Sequence, residues 1–405
     1  MFAYLTRAAA AGRRRLRGLA GGMSVAAAAL IVGACSQGFE SGPPVDPGAT
    51  ATSNAIGTGS IKIALLLPLS ATGNAGSTAQ ALQNSAELAL SEIPSADLQL
   101  LPIDTRGTPE GASAAAQTAV ANGARLVIGP LFAAEVGAVA PITKAARVPV
   151  LAFSTDTNVA SQGVYLLSFL PETDVNRIVS YAGRQGKRAF AALLPQSAYG
   201  SVVEAAFQQS VASSAGRVVT IARYEPGAEA MKAAIAQLAT VAGGADPQID
   251  ALLIPEGPAV LPALTAELAN ARIDPRRVQF LGSGQWNEPA VWRLTGLEGG
   301  VFPGPNPDGW QAFVAKYQAR FGAVPPRPAT LAYDAVTLAA ALARIGGAGG
   351  FTDQALTNPD GFSGIDGIFR FRPNGTSQRG LAILEVQNGS ATIRQPAPRS
   401  FGAGG

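Results

Sequence analysis

The 405-residue chain carries 30 Lys and Arg against 27 Asp and Glu, one cysteine and no histidine, with 47% of its residues apolar and 14% charged. Without histidine, the Ser-His-Asp and Cys-His nucleophile systems, the imidazole general base and the usual zinc sites are excluded. No tight cluster of carboxylates replaces them, so the chain reads as non-enzymatic, with no metal and no cofactor.

The N-terminus is an export signal. Arg7, Arg13, Arg14, Arg15 and Arg17 precede an apolar run from Leu19 to Val32, which closes on Val32-Gly33-Ala34-Cys35. A positive leader, a short apolar stretch and small residues at the cleavage point fit secretion, and the stretch is short and alanine-rich for a bilayer span. Cys35, the sole cysteine, stands where a lipoprotein thiol takes its lipid. Residues 1–34 are therefore read as a lipoprotein signal peptide. They hold five of the basic residues and no acid, which leaves 25 basic against 27 acidic side chains in the remainder. The basic charge balance belongs to the leader and implies no nucleic-acid patch. Residues 35–60 read as the lipidated cysteine and a flexible linker, because a Gly, Pro, Ser, Ala and Thr composition cannot bury enough to fold. Fully stretched, that linker reaches about 80 Å.

From Ile61 strands and helices alternate. Residues 61–67 form a near-continuous apolar run ended by Pro68, the pattern of a strand buried on both faces. Residues 79–93 follow as an amphipathic helix with Leu82, Ala86, Ala89 and Leu90 on one face. Strands are expected at 98–103, 125–128 and 148–153, with helices at 109–121 and 133–146. The cycle restarts with helices at 178–184, 200–213, 229–240 and 258–271 and strands at 189–194, 217–223, 251–254 and 279–282. Two such runs predict two lobes, each a parallel sheet with helices on both faces. Residues 310–321 and 330–345 read as helices. Residues 368–371 and 381–386, flanking Pro373-Asn374-Gly375, read as a hairpin-like pair. Residues 395–405 read as a disordered tail.

Several of these segments carry a resemblance. Ile61 to Ser70, ending Leu67-Pro68-Leu69-Ser70, resembles the opening strand of branched-chain amino-acid binding proteins. Ala86-Glu87-Leu88-Ala89, Leu126-Val127-Ile128-Gly129-Pro130 with Ala140-Pro141, Val148-Pro149-Val150-Leu151-Ala152-Phe153-Ser154 and Tyr199-Gly200 follow in the family's order. Gly364, Gly367, Phe369, Phe371, Asn374 and Gly375 match its closing hairpin. The resemblance covers about residues 61–390. It implies an α/β type I periplasmic-binding fold: two Rossmann-like lobes with parallel sheets, joined by a three-strand hinge. The periplasmic-binding-like domain would span 61–394, with lobe one at 61–172 and 306–346 and lobe two at 173–302 and 363–394. The chain would cross near 171–175, 300–305 and 346–363.

Ligands of open parallel sheets sit beyond the carboxyl ends of the strands. The corresponding loops here are 70–77, 131–134, 154–158, 196–199, 255–258 and 283–287. In the amino-acid binders the loop after the third strand supplies serine hydroxyls. Here it reads Leu131-Phe132-Ala133-Ala134, which leaves only backbone N–H groups. Ser154 and Thr155 are candidates to hold a carboxylate, Asp156 or Glu256 an ammonium, Tyr199 to pack on the ligand and Trp286 to wall the pocket. Ser70, Phe132 and Ala133 complete the candidate cleft. The same residues also fit plainer roles: 154–158 as a helix-start cap, Tyr199 as core and Glu256 as a solvated acid.

Two functions share this fold. The chain is similar to the periplasmic-binding-like domain of lipoprotein penicillin-binding protein activators, which implies a penicillin-binding protein (cell-wall synthase) as partner and a role in peptidoglycan synthesis. Ser36 after the lipidated cysteine implies the outer membrane by the usual sorting rule. The alternative is the substrate-binding protein of an ABC transporter for branched-chain or other amino acids, with a small amino-acid-like ligand as partner.

Overall fold

The computed structural model describes residues 54–402. The signal peptide, Cys35 and most of the linker lie outside the described residues. Lobe one is built on a five-stranded parallel sheet, β1 (Ile61–Leu67), β2 (Leu98–Asp104), β3 (Leu126–Ile128), β4 (Val150–Ala152) and β5 (Val164–Leu166), in the order β2-β1-β3-β4-β5. Six of the seven β1 residues are buried, because β1 lies between two neighbours and under helices on both faces. On one side α1 (Gly73–Ser91) packs with α10 (Ala329–Gly346), and α9 (Pro307–Phe321) adds a smaller aromatic cluster on α1. On the other side lie α2 (Pro109–Ala121) and α3 (Ala133–Ala145).

Lobe two has a seven-stranded sheet. Its parallel part is β6 (Ala189–Pro195), β7 (Arg217–Tyr224), β8 (Ala251–Leu253), β9 (Gln279–Leu281) and β10 (Val301–Gly304), and antiparallel β14 (Ala382–Gln387) and β15 (Ser390–Gln395) extend it in the order β15-β14-β10-β9-β8-β6-β7. Helices α4 (Pro171–Arg184) and α5 (Ala198–Ser213) cover one face. Helices α6 (Ala228–Ala242) and α7 (Leu261–Asn270) cover the other, with the short α8 (Pro289–Trp292) beside them. The two-lobed α/β type I periplasmic-binding architecture is therefore observed.

The details differ from the sequence reading in four places. Helix α4 begins at Pro171, seven residues before the predicted start at 178, because its first turn is the polar Pro-Glu-Thr-Asp. Proline at the first helical position with Glu172 and Asp174 in the first turn is a favourable start despite lacking apolar periodicity. The linker ends earlier than expected, since Ile56 bridges Leu100 on the free edge of β2 and Gly59 N–H donates to the Leu98 carbonyl at 3.1 Å. The strand β15 occupies residues assigned partly to the tail.

The fourth difference moves a boundary. Residues 368–371 do not pair with 381–386. Instead β11 (Phe362–Gly364), β12 (Gly367–Phe371) and β13 (Ser377–Arg379), which follow the short α11 (Asp353–Leu356), form a separate three-stranded antiparallel sheet. The polar β13 has no apolar signature, so the pattern skipped it for the next apolar run. This small sheet belongs to lobe one, not lobe two: Phe369 and Phe371 are in the lobe-one core, and Tyr165 of β5 meets Phe371 at 5.4 Å between centroids. Gly375 at the β12–β13 turn, at φ 85°, accepts from Leu166 N–H at 2.8 Å. A Cβ there would collide with the Ser161 and Val164 backbone, so glycine is required on both counts. The third crossing between lobes accordingly lies between Gly380 and Leu381, not within 346–363. The other two precede α4 and follow β10.

If the small sheet is part of the lobe-one core, Phe371→Ala lowers the unfolding free energy by about 3–5 kcal/mol. Denaturant unfolding checks this, and a loss under about 1 kcal/mol would place β12 outside that core.

Candidate ligand-binding cleft

A cavity of about 320 Å³ opens between the lobes where the chain crosses. Lobe one contributes Thr155, Phe169 and Arg327, and lobe two contributes Asp174, Tyr199, Gln285, Asn287 and Glu288. The crossing segments supply apolar walls through Pro171, Pro303, Pro305 and Leu381. Among the described residues, no group of three His, Cys, Asp or Glu side chains is placed to hold a metal ion.

Of the sequence candidates, Thr155 and Tyr199 line this cavity. Tyr199 donates its hydroxyl to the Pro255 carbonyl at 3.1 Å, which fixes the ring against the wall. The others stand elsewhere, each for a local reason. Trp286 does not wall the cleft. It is fully buried in the lobe-two core, 6.2 Å from Phe302 between centroids, and Gly282 and Gly300 leave room for its ring. Glu256 is buried too, and accepts a hydrogen bond from the Tyr224 hydroxyl. Ser154 is buried and its Oγ accepts from Asp156 N–H at 3.1 Å, while Asp156 caps a short 3₁₀ turn by accepting from Asn158 N–H at 3.0 Å. That segment is therefore built as a cap.

Two backbone donors of the lobe-one loops are taken up within the lobe. Phe132 N–H donates to Glu135 Oε2 at 3.1 Å, and Glu135 also accepts from the Thr105 hydroxyl, so the start of α3 at Ala133 closes on its own carboxylate. Burial raises the Glu135 pKa. Ser70 is exposed, and its N–H donates to Asp104 Oδ1 at 3.2 Å. Phe132 itself is 38% exposed, away from the cavity.

The charged base of the cleft comes from residues that the strand-end rule did not single out. Arg327 Nη2 donates to the fully buried Asp366 at 2.5 Å, and Thr330 donates its hydroxyl to the same carboxylate at 2.6 Å. The guanidinium lies 4.5 Å from the Trp310 centroid and 5.3 Å from that of Phe169. Its Nη1 is buried without a partner. Across the cavity Asp174 accepts from Gly284 N–H at 2.9 Å. Asp174 keeps some surface at the cavity wall but is otherwise enclosed, and this burial pushes its carboxyl up to about 7 against the opposing pull of Gly284 N–H and Arg379. Burial, with Asp366 as a like charge beside it, likewise raises the Asp334 pKa. The short motif Pro326-Arg327-Pro328 ahead of α10 was the available sequence signal for Arg327, since it puts a cation at a rigid bend.

An aspartate normally titrates near pH 4. With its folded value at about 7, the folded state binds the extra proton between about pH 4 and 7, so stability is lost as pH rises through that window. Asp174→Asn should lose less melting temperature than the parent between pH 5 and pH 8. Equal losses in the two proteins would contradict a folded-state titration of Asp174 near pH 7.

Comparison with known proteins agrees with this architecture. Residues 60–391 match the family model described as periplasmic binding protein. No curated protein sequence matches the chain. Among solved structures, a putative branched-chain amino acid ABC transporter protein from Rhodospirillum rubrum is similar at 20% identity and TM-score 0.73, covering 82% of this chain and 99% of that one. A substrate-binding protein from Desulfitobacterium hafniense in complex with Leu is similar at 19% identity and TM-score 0.61, covering 82% and 99%. A solute-binding protein from R. palustris in complex with benzoate is similar at 17% identity and TM-score 0.57, covering 85% and 100%. These findings overturn the activator reading. The match takes in the whole folded body, and the similar structures are transporter-associated binding proteins, so a penicillin-binding protein partner and a peptidoglycan role have no support. The protein is periplasmic and non-catalytic. With residues 60–391 matched end to end, the chain belongs to the periplasmic binding protein family.

Proposed function

We propose that the chain is the substrate-binding protein of an ABC transporter and holds a small amino-acid-like acid in the cleft cavity. The observation that carries this reading is Arg327 Nη1, a buried guanidinium nitrogen with no partner on a residue that lines the cavity. Asp366 takes only one side of the fork. A carboxylate is the natural occupant of the other side, because guanidinium binds it through paired charge-assisted hydrogen bonds. Phe169, Leu381 and the crossing prolines favour an apolar body on that acid, and Asp174, Glu288 and Thr155 offer acceptors to an ammonium or hydroxyl. The names of the similar structures support the same class, since they include complexes with leucine, isoleucine and benzoate. Binding across the two lobes would shift the population toward the closed arrangement.

Thermal unfolding against the twenty amino acids and benzoate tests this. A ligand held only by the folded state stabilises it by about 2.7 kcal/mol at a hundredfold excess over its Kd. A hydrogen bond to a charged group contributes about 1.5–3 kcal/mol, so Arg327→Gln should weaken the ligand found by roughly tenfold to a hundredfold. No shift with any of these acids, or unchanged affinity in the variant, counts against the assignment.

We also read Cys35 as the lipid attachment point and residues 36–53 as the tether. A receptor for an importer works at the inner membrane, so the outer-membrane placement implied by Ser36 does not accompany the transport reading. Mass spectrometry of the membrane-extracted protein should find diacylglycerol on Cys35, and Cys35→Ser should move the protein to the soluble fraction. Retention of the variant in the membrane would remove the anchor.

A further inference from the structure

A second cavity lies beside the hinge, on the other side of the first turn of α4 from the cleft. Pro171 and Asp174 face the cleft cavity, whereas Thr173, Arg177, Ser180 and Arg184, at helical spacing, line this groove of about 760 Å³. Its opposite wall comes from the β12–β13 turn and includes Arg372, Ser377 and Arg379. Four arginines therefore line one groove, and none of them stands within ion-pair distance of a carboxylate among the described residues. The single acid on the wall is Glu172, whose Oε1 accepts from Thr157.

Residues that line the groove also carry buried polar atoms with no partner, the acceptor Glu172 Oε2 among them. Arg379 is 5% exposed, and both its terminal nitrogens are unpartnered while its Nε donates to the Ser168 carbonyl at 3.1 Å. Asp366 and Asp334 act on Arg379 through space, so it is the least dependent of the four on an added anion. Ser377 Oγ is buried without a partner as well. Arg177 uses only its Nε, donating to the Leu381 carbonyl at 2.7 Å. Arg184 lowers the Arg177 pKa, second to burial, which is the mark of two cations held close together.

We propose that this groove is a second binding site, for a small multivalent oxyanion bearing phosphate or carboxylate groups. Arg177 and Arg184 belong to lobe two, while Arg372 and Arg379 belong to the small sheet of lobe one. One anion therefore neutralises cations from both lobes and holds the hinge in the arrangement that brings them together. The site is separate from the cleft cavity but acts on the same hinge, so its anion and the cleft ligand are coupled through the lobe arrangement.

Titration calorimetry of the full-length protein with inorganic pyrophosphate, and separately with citrate, tests the proposal. The expected result is one-to-one binding of at least one of them with a Kd below about 1 mM, weakened by added salt because the partly exposed charges are screened. The double variant Arg184→Gln, Arg372→Gln, whose sites are exposed and tolerant of change, should weaken binding by about tenfold or more, since charge-assisted hydrogen bonds are the stronger class. Glu288→Gln, at an exposed residue that lines the cleft and not the groove, should leave it unchanged. Pyrophosphate alone assigns phosphate chemistry, and citrate alone assigns carboxylate chemistry. Absence of binding by both, binding that the double variant retains in full, or binding lost in Glu288→Gln would overturn the proposal.

Discussion

The ion pair between Arg327 and Asp366 fixes the base of the cleft, and the elements around it depend on that pair. Asp366 is fully buried between β11 and β12, where an unpaired carboxylate would be strongly unfavourable. Arg327 and Thr330 satisfy it from the start of α10, and Asp334, one turn later, accepts from Ile365 N–H at 2.7 Å. These bonds tie the small sheet to the central helix of lobe one. They also hold the Arg327 guanidinium between Phe169 and Trp310, with one buried nitrogen left without a partner.

That geometry separates fold from function. Two lobes with parallel sheets can serve a solute receptor or a protein-docking module, so the fold cannot choose between them. The choice rests on what the cleft offers. A cavity lined by an arginine that has an unpartnered guanidinium nitrogen, by apolar crossing segments and by a few carboxylate and amide groups suits a small acid with an apolar body. In lobe one, Glu135 takes the Phe132 N–H and Asp104 takes the Ser70 N–H, while the charged side chains of the proposed site stand nearer the hinge.

The sequence disclosed the sheets better than the site. Buried parallel strands such as β1 and β6 are continuous apolar runs, and their alternation with helices left little doubt about the layers. The polar β13 and the polar first turn of α4 escaped because hydrophobic periodicity cannot register them, and with them went the third crossing. The strand-end rule singled out two residues of the proposed cleft, Thr155 and Tyr199, and otherwise favoured side chains whose roles are local. Trp286 looked like a pocket wall, yet the flanking Gly282 and Gly300 are what a buried indole requires. Ser154 and Asp156 were legible as a cap, and the structure uses them as one. Arg327 and Asp174 were hidden because one precedes a core helix and the other sits in an early helical turn, and only the folded chain brings them to the same cavity.

The most direct measurement is a structure of the protein with its bound ligand. The ligand is expected between the lobes, with its carboxylate within hydrogen-bond distance of Arg327 Nη1 and its apolar part against Phe169 and Leu381. A ligand seated on the loops at Phe132 and Ser154, with Arg327 untouched, would contradict it.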